Sequence, residues 1–253
     1  MPRSLRGFLT EWLRALWEFS LSEVVIAPLL ENAILSSGAR QIIDLCSGSS
    51  GPLIRIQNEL GIRGLEIPAL LTDKFPDREA LSALAAASHG RVSACMESVD
   101  AAAVPENLTG LRTLFNSFHH FRPAEAREIL RSAYRDRQPI GIFEITARRY
   151  PELALCFPAS FLSCFLLIWR MRPLRPTWWI LTWIVPVIPL MVGWDALISH
   201  LRSYTAEELV QLTDQLTDET WRWQQGTLKA PRGGVTITYL IGAPFVPPAP
   251  RPQ

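Results

Sequence analysis

Three aspartates follow short apolar segments at similar intervals, each long enough for one strand, one helix and their connections. The first, Asp44, opens a run of small residues, DLCSGSSG, and the others are Asp73 and Asp100. Small residues let a loop backbone approach a ligand closely, and a helix after such a loop offers free N–H groups. A carboxylate before these glycines favours a ligand with an ammonium group and disfavours a pyrophosphate, because like charges repel.

Each aspartate predicts a different contact with such a ligand. Asp44 suits an ammonium group, Asp73 suits the paired hydroxyls of a ribose, and Asp100 suits the exocyclic amine of an adenine. A ligand with an amine, a ribose and an adenine but no phosphate matches S-adenosylmethionine. A nicotinamide dinucleotide fits less well, since its G-x-G-x-x-G motif needs a glycine where Cys46 stands.

Polar side chains also follow the fourth apolar segment, where Asn116, His119 and His120 stand close together. An imidazole with a pKa of about 6.5 can accept a proton at neutral pH. Neighbouring residues on an extended segment point in opposite directions, so we expect one of the two histidines to act and favour His119. Glu144, which ends the fifth segment, is expected to line the pocket, whereas His200 is expected to be structural.

The elements that must position these residues follow from the apolar pattern. Five apolar segments alternate with helical or connecting stretches, which predicts an α/β fold with an open, mostly parallel, doubly wound sheet. Ligands of such sheets bind at the carboxyl ends of the strands, where the aspartates lie. Two alternating segments around Gly233-Gly234 predict a terminal hairpin. The five apolar segments are residues 41–45, 69–75, 91–101, 111–118 and 139–145.

These motifs resemble those of the class I S-adenosylmethionine-dependent methyltransferases. The family's first motif, D/E-x-G-x-G-x-G, matches Asp44 and Gly48. Cys46 and Ser50 replace the outer glycines, and Gly51 follows directly. The resemblance implies a seven-stranded Rossmann-like sheet with the strand order 3-2-1-4-5-7-6, in which the seventh strand is antiparallel.

The remaining motifs of the family extend the resemblance along the chain. Asp73 matches the acid of the second motif, Asp100 and its neighbours match the third, and the residues after the fourth strand match the fourth. The cofactor-binding residues that the resemblance implies are Asp44, Cys46, Ser47, Gly48, Gly51, Asp73, Lys74, Val99, Asp100, Ala101 and Asn116. The candidate catalytic residues are His119, His120 and Asn116.

The composition changes along the chain and predicts four parts. Residues 1–39 read as an N-terminal helical cap, with an amphipathic first helix. Residues 40–150 and 204–243 carry the resemblance and form the expected methyltransferase domain. Residues 151–203 form an apolar helical insertion after strand five, and residues 244–253 are a proline-rich tail.

The insertion contains two long uncharged runs that flank the segment RMRPLR. Each run is just short of the roughly 20 residues that a spanning helix needs, and prolines interrupt both. Three readings stay open: a helical hairpin on or in the bilayer, two true spans, or a soluble lid or dimer surface. Two spans would place the arginines of RMRPLR outside the cytoplasm, against the positive-inside tendency.

Net charge is +1, from 25 basic and 24 acidic residues, and so gives no electrostatic reason to expect a nucleic-acid partner. The four cysteines show no metal-ligand spacing with the histidines, so we expect reduced thiols and no metal site.

These features together predict methyl transfer to a nucleophilic O, N or C atom of a small molecule. The apolar insertion leaves the sheet near the expected site, which favours a lipophilic acceptor. We expect a cytoplasmic catalytic domain attached to the inner face of a membrane through residues 153–194, with a homodimer as a further option. The competing hypothesis is a non-catalytic, membrane-attached binding or scaffold protein that kept the fold.

Overall fold

The structure is a computed structural model that describes residues 3–48, 51–173 and 175–245, with side chains from residue 7 onward. Two serines of the glycine-rich loop, Ser49 and Ser50, lie outside the described residues. Most of the proline-rich tail expected from the sequence, residues 246–253, also lies outside them.

Seven strands form one sheet in the order β3-β2-β1-β4-β5-β7-β6. Strands β1 to β5 all run parallel to one another, and β7 is antiparallel to both β5 and β6. This confirms the doubly wound fold and the strand order. The strands are β1 (Ile42–Asp44), β2 (Ala69–Asp73), β3 (Val92–Ser98), β4 (Leu111–Phe115), β5 (Ile140–Glu144), β6 (Trp221–Lys229) and β7 (Thr236–Pro244).

Helices cover both faces of the sheet because consecutive strand residues point to opposite sides. Ile42 joins the core beneath α2, α3 and α4, whereas the next residue, Ile43, joins the core beneath α5 and α9. Each fully buried side chain of this kind contributes about 1.5–3 kcal/mol. In chain order the helices are α1 (Arg3–Ser20), α2 (Glu23–Ser37), α3 (Leu53–Ile62), α4 (Arg78–Ala87), α5 (Pro123–Arg135), α6 (Glu152–Leu167), α7 (Pro176–Trp179), α8 (Val187–Arg202) and α9 (Ala206–Thr213).

Local signals set several of these boundaries. The Asp77 side chain accepts a hydrogen bond from the N–H of Ala80 and caps α4. Thr205 and Glu208 form the reciprocal capping box that begins α9. Gly233 and its neighbour Gly234 both have positive φ in the turn between β6 and β7, as a tight hairpin requires.

The insertion folds as a bent helical layer that packs against α1. Helix α7 continues as a π-helical turn, Ile180–Ile184, and the chain then turns by 81° into α8 at Pro186, which precedes that helix. Proline cannot continue the preceding hydrogen-bond ladder, which accounts for the break. Phe8 and Trp12 of α1 share a buried cluster with Trp178 of α7 and with side chains of α6 and α8. The N-terminal helix therefore belongs with the insertion, while α2 belongs with the sheet.

Among the described residues, the segment Glu152–Arg170 is long and apolar enough to cross a membrane. Two further pairs of helices are bent at a short break, and each pair is long and apolar enough to cross a membrane only if it counts as one span. They are Gly7–Ser20 with Glu23–Ser37, bent by 85°, and Pro176–Ile184 with Val187–Arg202. By length and composition there is one candidate span, or up to three.

Candidate active site

A cavity of about 460 Å³ lies at the carboxyl ends of β1, β4 and β5. Its volume falls within the range of small-molecule sites, about 300–1,000 Å³. The loop after β1 and the turns after β4 and β5 line it from the sheet, and residues of α1, α6 and α8 complete the lining. The cavity is therefore built jointly by the sheet, the N-terminal helix and the insertion.

Asp44 ends β1, lines this cavity and is 2% exposed. Its Oδ1 accepts a hydrogen bond from the Thr113 hydroxyl at 2.8 Å, and its Oδ2 faces Gly51. No cation among the described residues forms an ion pair with it. Burial raises the pKa of Asp44 to about 7, although hydrogen bonds from Ser47 and Thr113 oppose the shift. An ammonium group in the cavity would complement this carboxyl.

The loop after β1 is a tight turn that runs along the cavity. Cys46 and Gly48 have φ of 57° and 55°, so Cys46 adopts a left-handed conformation at a position where the resembled motif has glycine. The Ser47 hydroxyl donates to the Asp44 carbonyl at 2.8 Å, and the Ser47 N–H donates to the Thr72 carbonyl at 3.0 Å. Burial raises the pKa of Cys46 to about 12, so its thiol stays protonated and is not a nucleophile.

Asp73 lies at the end of β2 and contacts the loop rather than the cavity itself. Its carboxylate accepts hydrogen bonds from the N–H of Gly48 at 2.9 Å and from the N–H of Phe75 at 2.8 Å. A second lone pair on each oxygen can still accept a ligand hydroxyl. Asp73 therefore ties β2 to the loop after β1, and its predicted contact with a ribose stays a prediction.

Four predicted cofactor-binding residues lie apart from the cavity lining: Lys74, which follows the second motif, and Val99, Asp100 and Ala101 of the third. Lys74 Nζ lies 2.6 Å from Asp100 Oδ2, and the N–H of Ala102 donates to Asp100 Oδ1 at 3.0 Å. These two contacts, the Lys74 hydrogen bond first, lower the pKa of Asp100. The side chains of Val99 and Ala101 are buried in the core beneath α5 and α9. The predicted adenine contacts of this group stay predictions.

The turn after β4 brings Asn116, His119 and His120 to the cavity. Asn116 ends the strand with φ 49°, and Phe118–His120 form a 3-10 turn. The two imidazole rings lie 4.2 Å apart between centroids, and both line the cavity. The expectation that only one histidine faces the site is wrong, because it assumed an extended segment. In a 3-10 turn, with about three residues per turn, neighbouring side chains can share one side.

Glu144 lies behind His119 and does not line this cavity, which corrects the prediction that it would. Its Oε2 accepts a hydrogen bond from His119 Nδ1, and its Oε1 accepts from the N–H of Phe118 at 2.7 Å. Because a carboxylate only accepts, Nδ1 of His119 carries the hydrogen and Nε2 keeps a lone pair. His120 has no such carboxylate partner among the described residues, and burial lowers the pKa of its imidazole.

Helix α8 adds two titratable side chains to the cavity, Asp195 and His200. His200, which was expected to be structural, lines the cavity, and that expectation stays untested. Its Nδ1 donates to the Ala196 carbonyl at 2.8 Å, and burial lowers the pKa of its imidazole. Asp195 is exposed, yet the surrounding atoms of the protein raise the pKa of its carboxyl above the ordinary value. The sequence signal was available, since these are the one acid and the one histidine between Leu153 and Ser203.

Helix α1 supplies an apolar side to the cavity. Leu9, Trp12, Leu13 and Leu16 line it at helical spacing. Trp12 Nε1 donates to the Ser163 hydroxyl at 2.9 Å, which ties α1 to α6. The cavity thus combines an apolar surface on α1 with polar groups on the sheet edge and α8, which suits a small molecule that is mostly apolar.

No protein-family model and no curated protein matches the chain. Among solved structures, the methyltransferase domain of bacterial CtHen1-C matches with a TM-score of 0.51 at 9% identity, over 90% of this chain and 98% of that one. The mitomycin 7-O-methyltransferase MmcR matches with a TM-score of 0.48 at 13% identity, over 87% of this chain and 53% of that one. TnmH matches with a TM-score of 0.48 at 17% identity, over 87% of this chain and 55% of that one.

The chain spans about half the length of MmcR and TnmH. The CtHen1-C domain, in contrast, is matched over nearly its whole length. This likeness shows that the chain has the fold of a methyltransferase domain and confirms the fold expected from the sequence motifs.

Proposed function

We propose that the protein is an S-adenosylmethionine-dependent methyltransferase that acts on a small, largely apolar acceptor. The observation that carries this proposal is that one cavity joins the buried Asp44 carboxyl to the His119 imidazole, which Glu144 holds from behind. The Asp44 carboxyl can bind the ammonium group of the cofactor, and the His119 imidazole can accept a proton from the acceptor. The methyltransferase fold supports the same conclusion.

When bound, the cofactor supplies an electrophilic methyl group on a sulfonium. The Asp44 carboxylate would hold the ammonium, and the loop backbone at Gly48 would lie beside the same molecule. Asp73 would offer oxygens to the ribose hydroxyls while it keeps its hydrogen bond to Gly48. These residues would position the cofactor beside the acceptor.

His119 takes the proton of the attacking acceptor hydroxyl. Its Nε2 is the free acceptor atom, because Nδ1 donates to Glu144. Glu144 orients the ring and counters the positive charge that the imidazolium gains. With the cofactor bound, the acceptor oxygen would form its new bond to the methyl carbon as the bond from that carbon to sulfur breaks, and His119 would hold the proton.

Two measurements test the proposal in sequence. Calorimetry should show binding of S-adenosylmethionine and of S-adenosylhomocysteine. The purified protein, incubated with methyl-labelled S-adenosylmethionine and an organic extract of cells that lack the gene, should transfer label to an extractable product. Cofactor binding without any labelled product from such extracts would favour the binding or scaffold hypothesis. Absence of cofactor binding would refute the proposed methyl transfer and would also favour the binding or scaffold hypothesis.

The neighbouring histidines provide a matched test of the base. His119→Ala should lower turnover with the labelled extract by about 10²–10⁴, the usual contribution of a general base. Glu144→Gln should lower it in the same direction, since it weakens the hold on Nδ1. His120→Ala, which leaves that pair intact, should change turnover by less than about tenfold. Equal losses at both histidines would contradict the assignment to His119.

The insertion supports a lipid bilayer as the place where the acceptor is met. Most of the large apolar side chains that remain exposed belong to it, and exposed arginines adjoin them at Arg170, Arg172 and Arg175. Apolar patches with tryptophan and basic residues at their borders are typical of helices that lie in a membrane interface. The exposed apolar side chains are Leu155, Leu162, Leu166, Trp169, Ile180, Trp183, Ile184, Val185, Val187, Leu190, Trp194 and Leu201.

Vesicle flotation tests the bilayer attachment. The protein should float with vesicles of anionic lipid, and Leu166→Glu with Ile184→Glu should abolish flotation because two charges would enter the apolar region. Leu35→Glu with Ile62→Glu is the matched control, because these two side chains are also exposed but lie outside the insertion. Monodisperse dimers in detergent-free buffer that dissociate in the insertion variant and never float would instead favour a dimer surface.

A further inference from the structure

We propose that Asp195 and His200 of α8 form a recognition site for a hydrogen-bond donor of the acceptor, a hydroxyl or an N–H group separate from the one that is methylated. This inference rests on the proposed function, because it assigns the α8 side of the same cavity. It makes the acceptor a small apolar molecule with two polar donors rather than one.

The placement of these two side chains is the first argument. The insertion carries no other acid and no other histidine between Leu153 and Ser203, yet both of them line the cavity. Asp195 is exposed, so water solvates its carboxylate until a ligand donor replaces that water. Asp195 forms no hydrogen bond and no ion pair with the described residues. A ligand donor would supply the missing partner.

Hydrogen-bond chemistry sets the kind of ligand group. His200 Nδ1 donates to the Ala196 carbonyl of its own helix, which leaves Nε2 as an acceptor on the side away from that carbonyl. A carboxylate at Asp195 is also an acceptor. Neither side chain has a donor from another described residue, so these two acceptors favour a ligand group that donates. At these two atoms, an ether, a ketone or a carboxylate of the acceptor would meet only lone pairs.

The separation of roles within the cavity is the third argument. His119 already has its Nδ1 occupied by Glu144 and lies on the sheet edge with the Asp44 loop. Asp195 and His200 lie on the insertion instead, with Ser199 on the same side of α8. A molecule that reaches His119 with one donor can therefore present a second donor to α8.

Binding measurements with matched probes test this inference without requiring turnover. The protein saturated with S-adenosylhomocysteine is titrated with dihydroxynaphthalenes and with their monomethyl and dimethyl ethers. We expect each diol to bind about 10–100-fold more tightly than its dimethyl ether, as expected for hydrogen bonds to charged or polar acceptors. His200→Phe and Asp195→Leu should remove most of the gain from the second hydroxyl, whereas His200→Gln, which keeps an acceptor, should retain part of it.

The controls separate this inference from the proposed function. Leu201→Ala, an exposed position on α8 outside the cavity lining, should leave every ratio unchanged. Unaltered binding of S-adenosylhomocysteine in each variant shows that the fold and the cofactor site survive. Equal binding of diols and ethers by the wild type, no binding of either, or a preference that persists in both apolar variants would overturn the inference. Failure of the wild type to bind S-adenosylhomocysteine would instead refute the proposed function.

Discussion

The buried carboxyl of Asp44 should lower the stability of the cofactor-free protein. The same carboxyl should be needed for binding of the cofactor's ammonium group. Replacing it by asparagine keeps an oxygen that can accept from the Thr113 hydroxyl but removes the charge. The pKa of Asp44 is raised from 3.8 to about 7, which corresponds to about 4 kcal/mol of unfavourable ionisation in the folded state. Asp44→Asn should therefore raise the free energy of unfolding at pH 8 by about 2–4 kcal/mol.

The sign of this effect fixes its pH dependence. Below about pH 3 the carboxyl is protonated in both the folded and the unfolded chain, so this difference in stability between the variant and the wild type should disappear. As pH rises from about 4 to 7 the unfolded chain loses its proton more readily than the folded one, and the wild type loses stability. Urea unfolding across this range measures the difference.

The Asp44→Asn substitution, which should stabilise the folded protein, should weaken cofactor binding. Asp44→Asn should weaken binding of S-adenosylhomocysteine by at least about tenfold, because the ammonium loses a charge-assisted hydrogen bond. In the wild type, affinity should fall by about tenfold per pH unit below about pH 7, since binding must first ionise Asp44. A variant that gains no stability at pH 8, or that binds S-adenosylhomocysteine like the wild type, would refute the placement of the ammonium at Asp44.

Three further predictions concern the loop after β1, the aspartate that holds it and the cap of α9. Asp73→Ala should weaken S-adenosylhomocysteine binding by about 10–100-fold in calorimetry, because it releases the N–H of Gly48 and removes the predicted ribose contact. Cys46→Gly should keep or slightly raise the thermal midpoint, whereas Cys46→Val should lower it, since β-branched residues resist the left-handed φ. Thr205→Ala should cost about 1 kcal/mol in urea unfolding through loss of the α9 cap, with cofactor affinity unchanged.

The sheet could be predicted from the sequence because its signals are local. Each of the first five strands is a short apolar segment with a turn residue or an acid after it, and the terminal hairpin is marked by Gly233-Gly234. Parallel strands align their carboxyl ends, so the positions of Asp44, Asp73 and the histidine segment at one edge followed from the order of the elements alone.

The details of the site depended on features with weak local signals. The 3-10 turn that brings both histidines to one side follows from the left-handed φ of Asn116, which an alternating strand pattern does not reveal. The position of Glu144 behind His119 depends on the exact register between β4 and β5. His200 was missed because it stands far along the chain, after an apolar run that gives no strand or loop motif.

Helix α1 and the insertion show how a long-range contact defines the acceptor side. Phe8 and Trp12 pack with Trp178, and both the start of the chain and α8 contribute side chains to the cavity. The amphipathic pattern of α1 predicted an apolar face but not its partner, since hydrophobic periodicity carries no information about which surface covers it. Because α6 to α8 bury one side against α1 and leave the other exposed, a bilayer on the exposed side would lie next to the element that supplies Asp195 and His200. Under the proposed function, a lipophilic acceptor would then move from the bilayer past α8 to His119, and α8 would be the first part of the site to meet its polar groups.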